Sequence, residues 1–426
     1  MLIPVFSVYA TSLTGATPFL IGMALGCYGL SQGLLQIPFG LLSDKYGRKP
    51  VIALGLGLFA AGSLLGALTH SMTGMIIART LQGTGAIGSV LIALLADLTP
   101  DDCRTSAMAM IGGTIALSFS LAFMISPVIT EYAGLSGIFY ITLFLIVLAF
   151  LLLYFVIPTP SQEPFIDTAT TQQHRLKLVI KNPHLSRLNI GIFSQHLILT
   201  STFFAIPLRL QEEIASGHLN QAWHFYLPIL VLSFIAMLPP IILAERRKKM
   251  KPIFISAVFI TAIAQGGLAL AAPLWTALCV LMFIYFVVFN ILEASLPSLI
   301  SRQASMMAKG TAMGVYSSCQ FLGIFAGGTL AGLLYQHHGS QGIFILNTLI
   351  AAVWFCITLK MNPHHYQTTL SLVFDDQNVN TLLDTLKSLP GVEEVMLQAN
   401  KKNTLYLRIN KAHYKEGSAE QHCKKT

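Results

Sequence analysis

The 426-residue chain is 54% hydrophobic and only 10% charged, with a mean hydropathy of +0.67. Soluble globular domains carry about 25% charged residues, so a soluble fold is excluded and an integral membrane protein, with the lipid bilayer as its solvent, is indicated. The net charge of +8 sits in loops between apolar runs, which decides against a nucleic-acid partner.

Residues 1–13 are apolar but too few to span a bilayer, which takes about 20 residues. They have no charged n-region and no small-residue cleavage site, so they do not read as a signal peptide. They are expected to be the second half of a first helix whose start is missing; the alternative is a short re-entrant or interfacial segment. Apolar runs follow at 18–42, 51–68, 73–96, 105–130 and 136–157, giving a six-helix first half over residues 1–157. Residues 158–187 are polar and basic and read as a cytoplasmic linker. A second six-helix half, residues 188–360, holds runs at 188–210, 222–244, 252–271, 274–296, 310–335 and 341–359. Six plus six reads as two parallel repeats, and a faint echo supports this: Arg104-Thr-Ser-Ala-Met opens the fifth run and Lys309-Gly-Thr-Ala-Met the eleventh.

If the loop around Asp44 faces the cytoplasm, that side receives all 26 Lys and Arg except Arg79 and Arg209, as the positive-inside rule requires. After Lys360 the composition becomes that of a soluble domain. Residues 369–374, 392–398 and 404–409 alternate like strands, 377–388 have helical spacing, and Lys401-Lys402-Asn403 reads as a hairpin loop. This β-α-β-β order over residues 366–426 looks like part of a ferredoxin-like α+β domain. The six cysteines, Cys27, Cys103, Cys279, Cys319, Cys356 and Cys423, include no C-x-x-C pair. They read as small core residues, so neither a disulfide framework nor a metal site is expected, and no cofactor.

One hydrophilic break is more specific than the rest. Residues 40–50, Gly40-Leu-Leu-Ser-Asp-Lys-Tyr-Gly-Arg-Lys-Pro50, set four charges and two glycines between two membrane-length runs. The pattern resembles the signature loop between helices 2 and 3 of major facilitator superfamily transporters. Gln36-Ile-Pro-Phe-Gly-Leu-Leu-Ser-Asp44, Arg79-x-Leu-Gln-Gly-x-Gly-Ala86, Ala294-x-Leu-Pro-Ser-Leu-Ile-Ser301 and Lys309-Gly-Thr-Ala-Met-Gly-Val-Tyr-Ser317 extend the resemblance to the drug:proton antiporter branch. The antiporter signature of helix 5 departs from the family, with Ser126-Pro127 where Gly-Pro is typical. The resemblance implies a twelve-helix all-α bundle in a bacterial inner membrane, monomeric, that exports a small amphipathic molecule against inward proton flow. A second reading keeps the bundle as an inherited scaffold and gives the function to the cytoplasmic tail, as a sensor. No nucleotide-binding P-loop is present, and no nucleophile, base and orienting group converge at enzyme-like spacing.

Candidate site residues follow from charges placed where they are costly. Arg79 lies about six residues, roughly 9 Å, into its run, and matches the helix 4 arginine that the family resemblance implicates in coupling; the alternative is an arginine that only hydrogen-bonds carbonyls across the bundle. His196 falls near the middle of its run and can exchange a proton near neutral pH. A neutral ring satisfied by Thr200 or Ser201 fits equally well. Glu293, with Asn290 one turn earlier on the same face, is able to load and release a proton, or else forms an ion pair with Lys309 or Arg302. Tyr316 and Gln320, one turn apart, are offered as cavity residues. Gly40, Asp44, Gly47, Arg48, Asp97 and Arg104 are expected to form a conformational lock, with each carboxylate held by a guanidinium and Asp44 latching onto the helix N-terminus near Gly310.

Overall fold

The structure is a computed structural model. It describes residues 2–159 except 100, residues 172–361 except 248, 271–273 and 305–308, and, further on, 367–373, 382, 385, 386, 388–397, 404–410, 414 and 417–419. The chain divides into a helical unit, Met1–Gln162 with Gln172–Lys360, and a smaller unit that contains Met361–Thr426.

Twelve helical stretches make up the first unit. A short helix α1 (Phe6–Tyr9) runs into a 3-10 turn, Ala10–Ser12, and its Phe6 and Ala10 are fully buried. Next come α2 (Pro18–Tyr46), α3 (Arg48–Leu68), α4 (Met72–Thr84), α5 (Gly88–Leu98) and α6 (Asp101–Phe155). The expected linker is partly helical: α7 (Gln172–Lys181) lies within it, and α8 (Pro183–Ala215) starts five residues before the first apolar position at 188. The reason is local, because the Asn182 side chain accepts from the amides of His184 and Leu185 and Pro183 sits in the first turn, a strong helix start. Four stretches complete the unit: α9 (Ala222–Arg246), α10 (Met250–Leu270), α11 (Trp275–Gln303) and α12 (Lys309–Leu359).

Both α6 and α12 are pairs of helices joined at a single glycine, Gly134 (φ 62°) and Gly339 (φ 61°), a backbone setting that non-glycine residues rarely adopt. The run expected at 73–96 is two helices, α4 and α5, separated at Gly85–Ile87. The hydrophilic break at 40–50 is likewise sharper than expected. Asp44 belongs to the last turn of α2, Arg48 opens α3, and Gly47 (φ 93°) alone makes the turn. Among the described residues, nine helical runs are long and apolar enough to cross a membrane.

Without a hydrophobic drive between helices in lipid, close packing falls to small residues. The face of α2 carrying Gly22, Gly26, Gly29 and Gly33 meets the face of α12 carrying Ser318, Phe321, Phe325, Gly328 and Gly332, and a Cβ on Gly22 or Gly328 would collide with the opposing backbone. The same stripe of α12 continues to Gly314 and Gly310, where a Cβ would meet nothing within 4 Å. The two helices are therefore in close contact from Gly22 to Gly33 of α2, with open space among the described residues beside Gly314 and Gly310. On its other side α12 lies on α8, Gly323 and Gly327 facing the Phe193 and Leu197 carbonyls.

At the end away from Asp44 the few charges satisfy one another. Arg209 binds Glu212 (2.8 Å) and Glu213 (3.1 Å), and Gln221 donates to Glu131.

The second unit contains a three-stranded sheet, β1 (Gln367–Val373), β2 (Val392–Leu397) and β3 (Thr404–Asn410), in the order β1-β3-β2. The central strand β3 is antiparallel to both neighbours, pairing Leu370 with Leu407 and Val395 with Leu407. Leu405, Leu407 and Ile409 alternate onto one face and form a core with Leu386, Tyr414 and Ala419, as period-two patterning dictates. The strands fall where the alternation placed them. The expected hairpin loop 401–403 and most of the expected helix 377–388 lie outside the described residues.

Candidate functional site

Three helices of the second half bring polar groups to one point. From α8 come Gln195 and His196, both buried; from α11 comes Glu293, and from α12 Gln320. Glu293 Oε2 accepts from Gln195 Nε2 at 3.0 Å and stands 3.9 Å from His196 Nε2. The Gln320 amide lies 2.8 Å from the same ring nitrogen. Gln195 Nε2 also reaches the Phe289 carbonyl at 3.3 Å, and the Phe289 ring packs edge-on to His196 at 6.3 Å. A glutamine is a suitable third partner, because its amide donates to a bare Nε2 or, turned over, accepts from a protonated one. The arrangement therefore accommodates a proton on either the carboxyl or the imidazole.

The structure thus joins His196, Glu293 and Gln320, which the sequence named separately. It gives His196 and Glu293 partners that the sequence did not single out for them. Ser201 does not serve His196; its hydroxyl goes to the Leu197 and Ile198 carbonyls and to Asn347 Oδ1 at 2.6 Å. Glu293 turns to α8 and not to Arg302, while the Lys309 side chain lies outside the described residues. Asn290 Nδ2 donates to Ser233 Oγ of α9 at 3.3 Å. Tyr316 is buried, with a hydroxyl that has no hydrogen-bond partner among the described residues.

Two groups of polar residues were missed. Gln195, which fixes the Glu293 carboxylate, is one. The other is a buried lattice in which Asn347 donates to Gln265 Oε1 (3.0 Å) and Thr202 (3.2 Å) and Gln265 donates to Thr202 (3.1 Å). Three runs of the second half are tied together by it. The available signal was an amide well inside an apolar run, at Gln195, Gln265 and Asn347.

In the first half, Arg79 is buried on α4 with no carboxylate paired to it among the described residues. Its guanidinium lies 4.4 Å from the centre of the Tyr28 ring and donates to Gln82 Oε1 at 2.6 Å, and Gln82 donates in turn to Ser63 (2.8 Å). A cation held by an aromatic face and a side-chain amide replaces the carbonyl partners considered for it. Close approach of α4 to α2 at Gly83, beside the Tyr28 carbonyl and Ser31, makes this contact possible.

At the α2–α3 turn, Arg48 binds Asp44 and, through Nε, Asp97 at 2.8 Å, with a further bond to Ser43 Oγ at 2.7 Å. Gly40 faces Ser89 of α5 across ordinary contact distance. Arg48 thus fastens α2 and α3 to the end of α5. Among the described residues Asp44 has no partner on α12, and the Arg104 side chain lies outside the described residues.

A sequence model of the family described as Major Facilitator Superfamily matches residues 1–327 and, overlapping it, 188–379. The chain belongs to the Major Facilitator Superfamily. Within this superfamily it is 38% identical over 412 residues to the inner membrane transport protein YajR of Escherichia coli K12, covering 96% of this chain and 90% of that one. It is 27% identical over 201 residues to the multidrug resistance protein MdtL of Klebsiella pneumoniae, covering 46% of this chain and 51% of that one. In fold it is similar to the human organic anion transporter MFSD10, with a TM-score of 0.60 at 19% identity, over 80% of this chain and 84% of that one. The protein is thus a multi-pass membrane transporter of the Major Facilitator Superfamily, not an enzyme.

Proposed function

We propose that the protein exports a small amphipathic molecule by alternating access, driven by protons moving inward. The observation that carries this reading is the contact of the half-buried Glu293 with the buried His196, two groups that exchange protons, held on separate helices by Gln195 and Gln320. An ionisable group placed in a membrane interior is costly and marks a functional position. Proton occupancy of this pair changes how firmly α8, α11 and α12 hold together, which couples protonation to helix movement. Asn290, Tyr316 and the face of Gln320 supply polar contacts for cargo, and Arg79 with Tyr28 supplies a cationic and aromatic counterpart in the first half. Similarity to multidrug resistance proteins supports a drug-like cargo.

The distribution of basic residues supports a topology with the Asp44 loop and the tail on the cytoplasmic side. In that orientation the close α2–α12 contact at Gly22 and Gly328 lies toward the outside and the open space beside Gly310 and Gly314 toward the inside, which supports a reading with the lock released. Asp44 is held by Arg48 within the first half and is free to latch onto the start of α12 when the inner side closes. The test is transport of a compound panel by the purified monomeric protein in liposomes with an imposed pH gradient. Uptake that ignores the gradient rejects proton coupling.

The tail favours an additional reading. Its sheet order, with β1 and β2 parallel on either side of β3, supports a ferredoxin-like fold, and its own buried core supports an independently folded sensor. Deleting residues 366–426 separates the two roles: residual export is expected of a transporter, complete loss of a sensor acting through its tail.

A further inference from the structure

At the Asp44 end of the helical unit, α8 and the end of α12 leave a groove of about 440 Å³, lined by Arg187, Ala352, Val353, Cys356, Ile357 and Lys360. Its wall is apolar except for two cations. Arg187 spends one N–H on the Lys360 carbonyl, at 2.8 Å, which closes the last turn of α12 and leaves the remaining donors of the guanidinium available. Among the described residues no acidic side chain lines the groove.

The neighbouring helix has matching chemistry. α7 packs against α8 and α12, burying Val179, while Leu178 (54%) and Ile180 (56%) stay exposed between the exposed Lys177 and Lys181. Asn182 caps the start of α8, and the Ser186 hydroxyl donates to the Ile180 carbonyl at 3.0 Å, so α7 is fastened to the start of α8, the helix that supplies Arg187. A short helix that exposes apolar and basic residues together lies at the level of lipid headgroups, where long basic side chains extend to the phosphates.

We propose that this groove is a binding site for an anionic phospholipid. The phosphate is held by Arg187 and Lys360 at the mouth, with Lys181 nearby. An acyl chain runs along Ile357, Cys356 and Val353, about 10 Å down α12. A soluble phosphate compound would leave the apolar wall uncovered, and a zwitterionic lipid would bring a second cation against two already present. The site is separate from the Glu293 and His196 pair and does not depend on proton coupling.

The experiment is native mass spectrometry of the full chain, delipidated in a neutral detergent and titrated with phosphatidylglycerol, phosphatidylcholine of the same acyl chains, or glycerol phosphate. One phosphatidylglycerol per chain is expected, retained at least tenfold more strongly than phosphatidylcholine, with no retention of glycerol phosphate. Lys360→Gln, which keeps the carbonyl bonded by Arg187, should reduce the preference several-fold. Val353→Trp, which fills the groove and leaves both cations, should release the lipid. Equal retention of the two lipids, a preference that survives both variants, or equal retention of glycerol phosphate overturns the proposal.

Discussion

Glu293 Oε2 and His196 Nε2 lie 3.9 Å apart, too far for a direct hydrogen bond and close enough for each to sense the other's charge. Gln195 holds the carboxylate and Gln320 the ring, so the spacing is set by partners on both sides. Replacing Glu293 with Gln keeps the shape and removes the exchangeable proton. Net transport driven by a pH gradient should fall at least tenfold, while exchange of cargo across the membrane without a gradient persists. Gradient-driven transport at the wild-type rate would show that Glu293 carries no coupling proton.

Gln320→Leu tests the ring's partner. The amide is lost but the helix is kept, so the folded protein should remain and the pH dependence of transport should move, because the imidazole is left with Glu293 as its polar neighbour. An unchanged pH profile assigns Gln320 to packing only.

Asp44→Asn should leave thermal stability within about 1 kcal/mol, since the Asp44–Arg48 pair is exposed on one side and such pairs contribute little. Its effect is expected on the conformational balance: spin-label distances between α2 and α12 at the Asp44 end should lengthen on average. Identical distance distributions would refute the latch.

Gly328→Leu places a side chain against the Gly22 carbonyl, where even a Cβ does not fit. Closure at the end away from Asp44 should become unfavourable by about 1–3 kcal/mol. Labels at that end should report a shift to the open form, and export should slow.

Asn347→Leu removes the centre of the buried lattice and leaves Gln265 and Thr202 with one partner fewer each. Unmet buried hydrogen bonds cost about 1–3 kcal/mol, toward the low end within membranes. Thermal unfolding in detergent should move down by a few degrees while the dependence on a pH gradient is retained.

Hydropathy and the placement of Lys and Arg follow from the bilayer's thickness and charge asymmetry, so the membrane class and the family were legible in the sequence. The strands of the tail were legible for the same reason, because alternation is a local property. Helix breaks at Gly85–Ile87 and at Gly47 were missed or blurred, since hydropathy does not register the backbone of a single glycine. What only the tertiary structure decided is which polar groups meet. Near in sequence, Glu293 has Arg302 and Lys309; in space it meets Gln195, 98 positions away, because the rotation of α8 and α11 about their own axes selects the pair. That rotation is fixed by packing along whole helices, such as the glycine contacts of α12 with α8, and no single stretch of sequence encodes it.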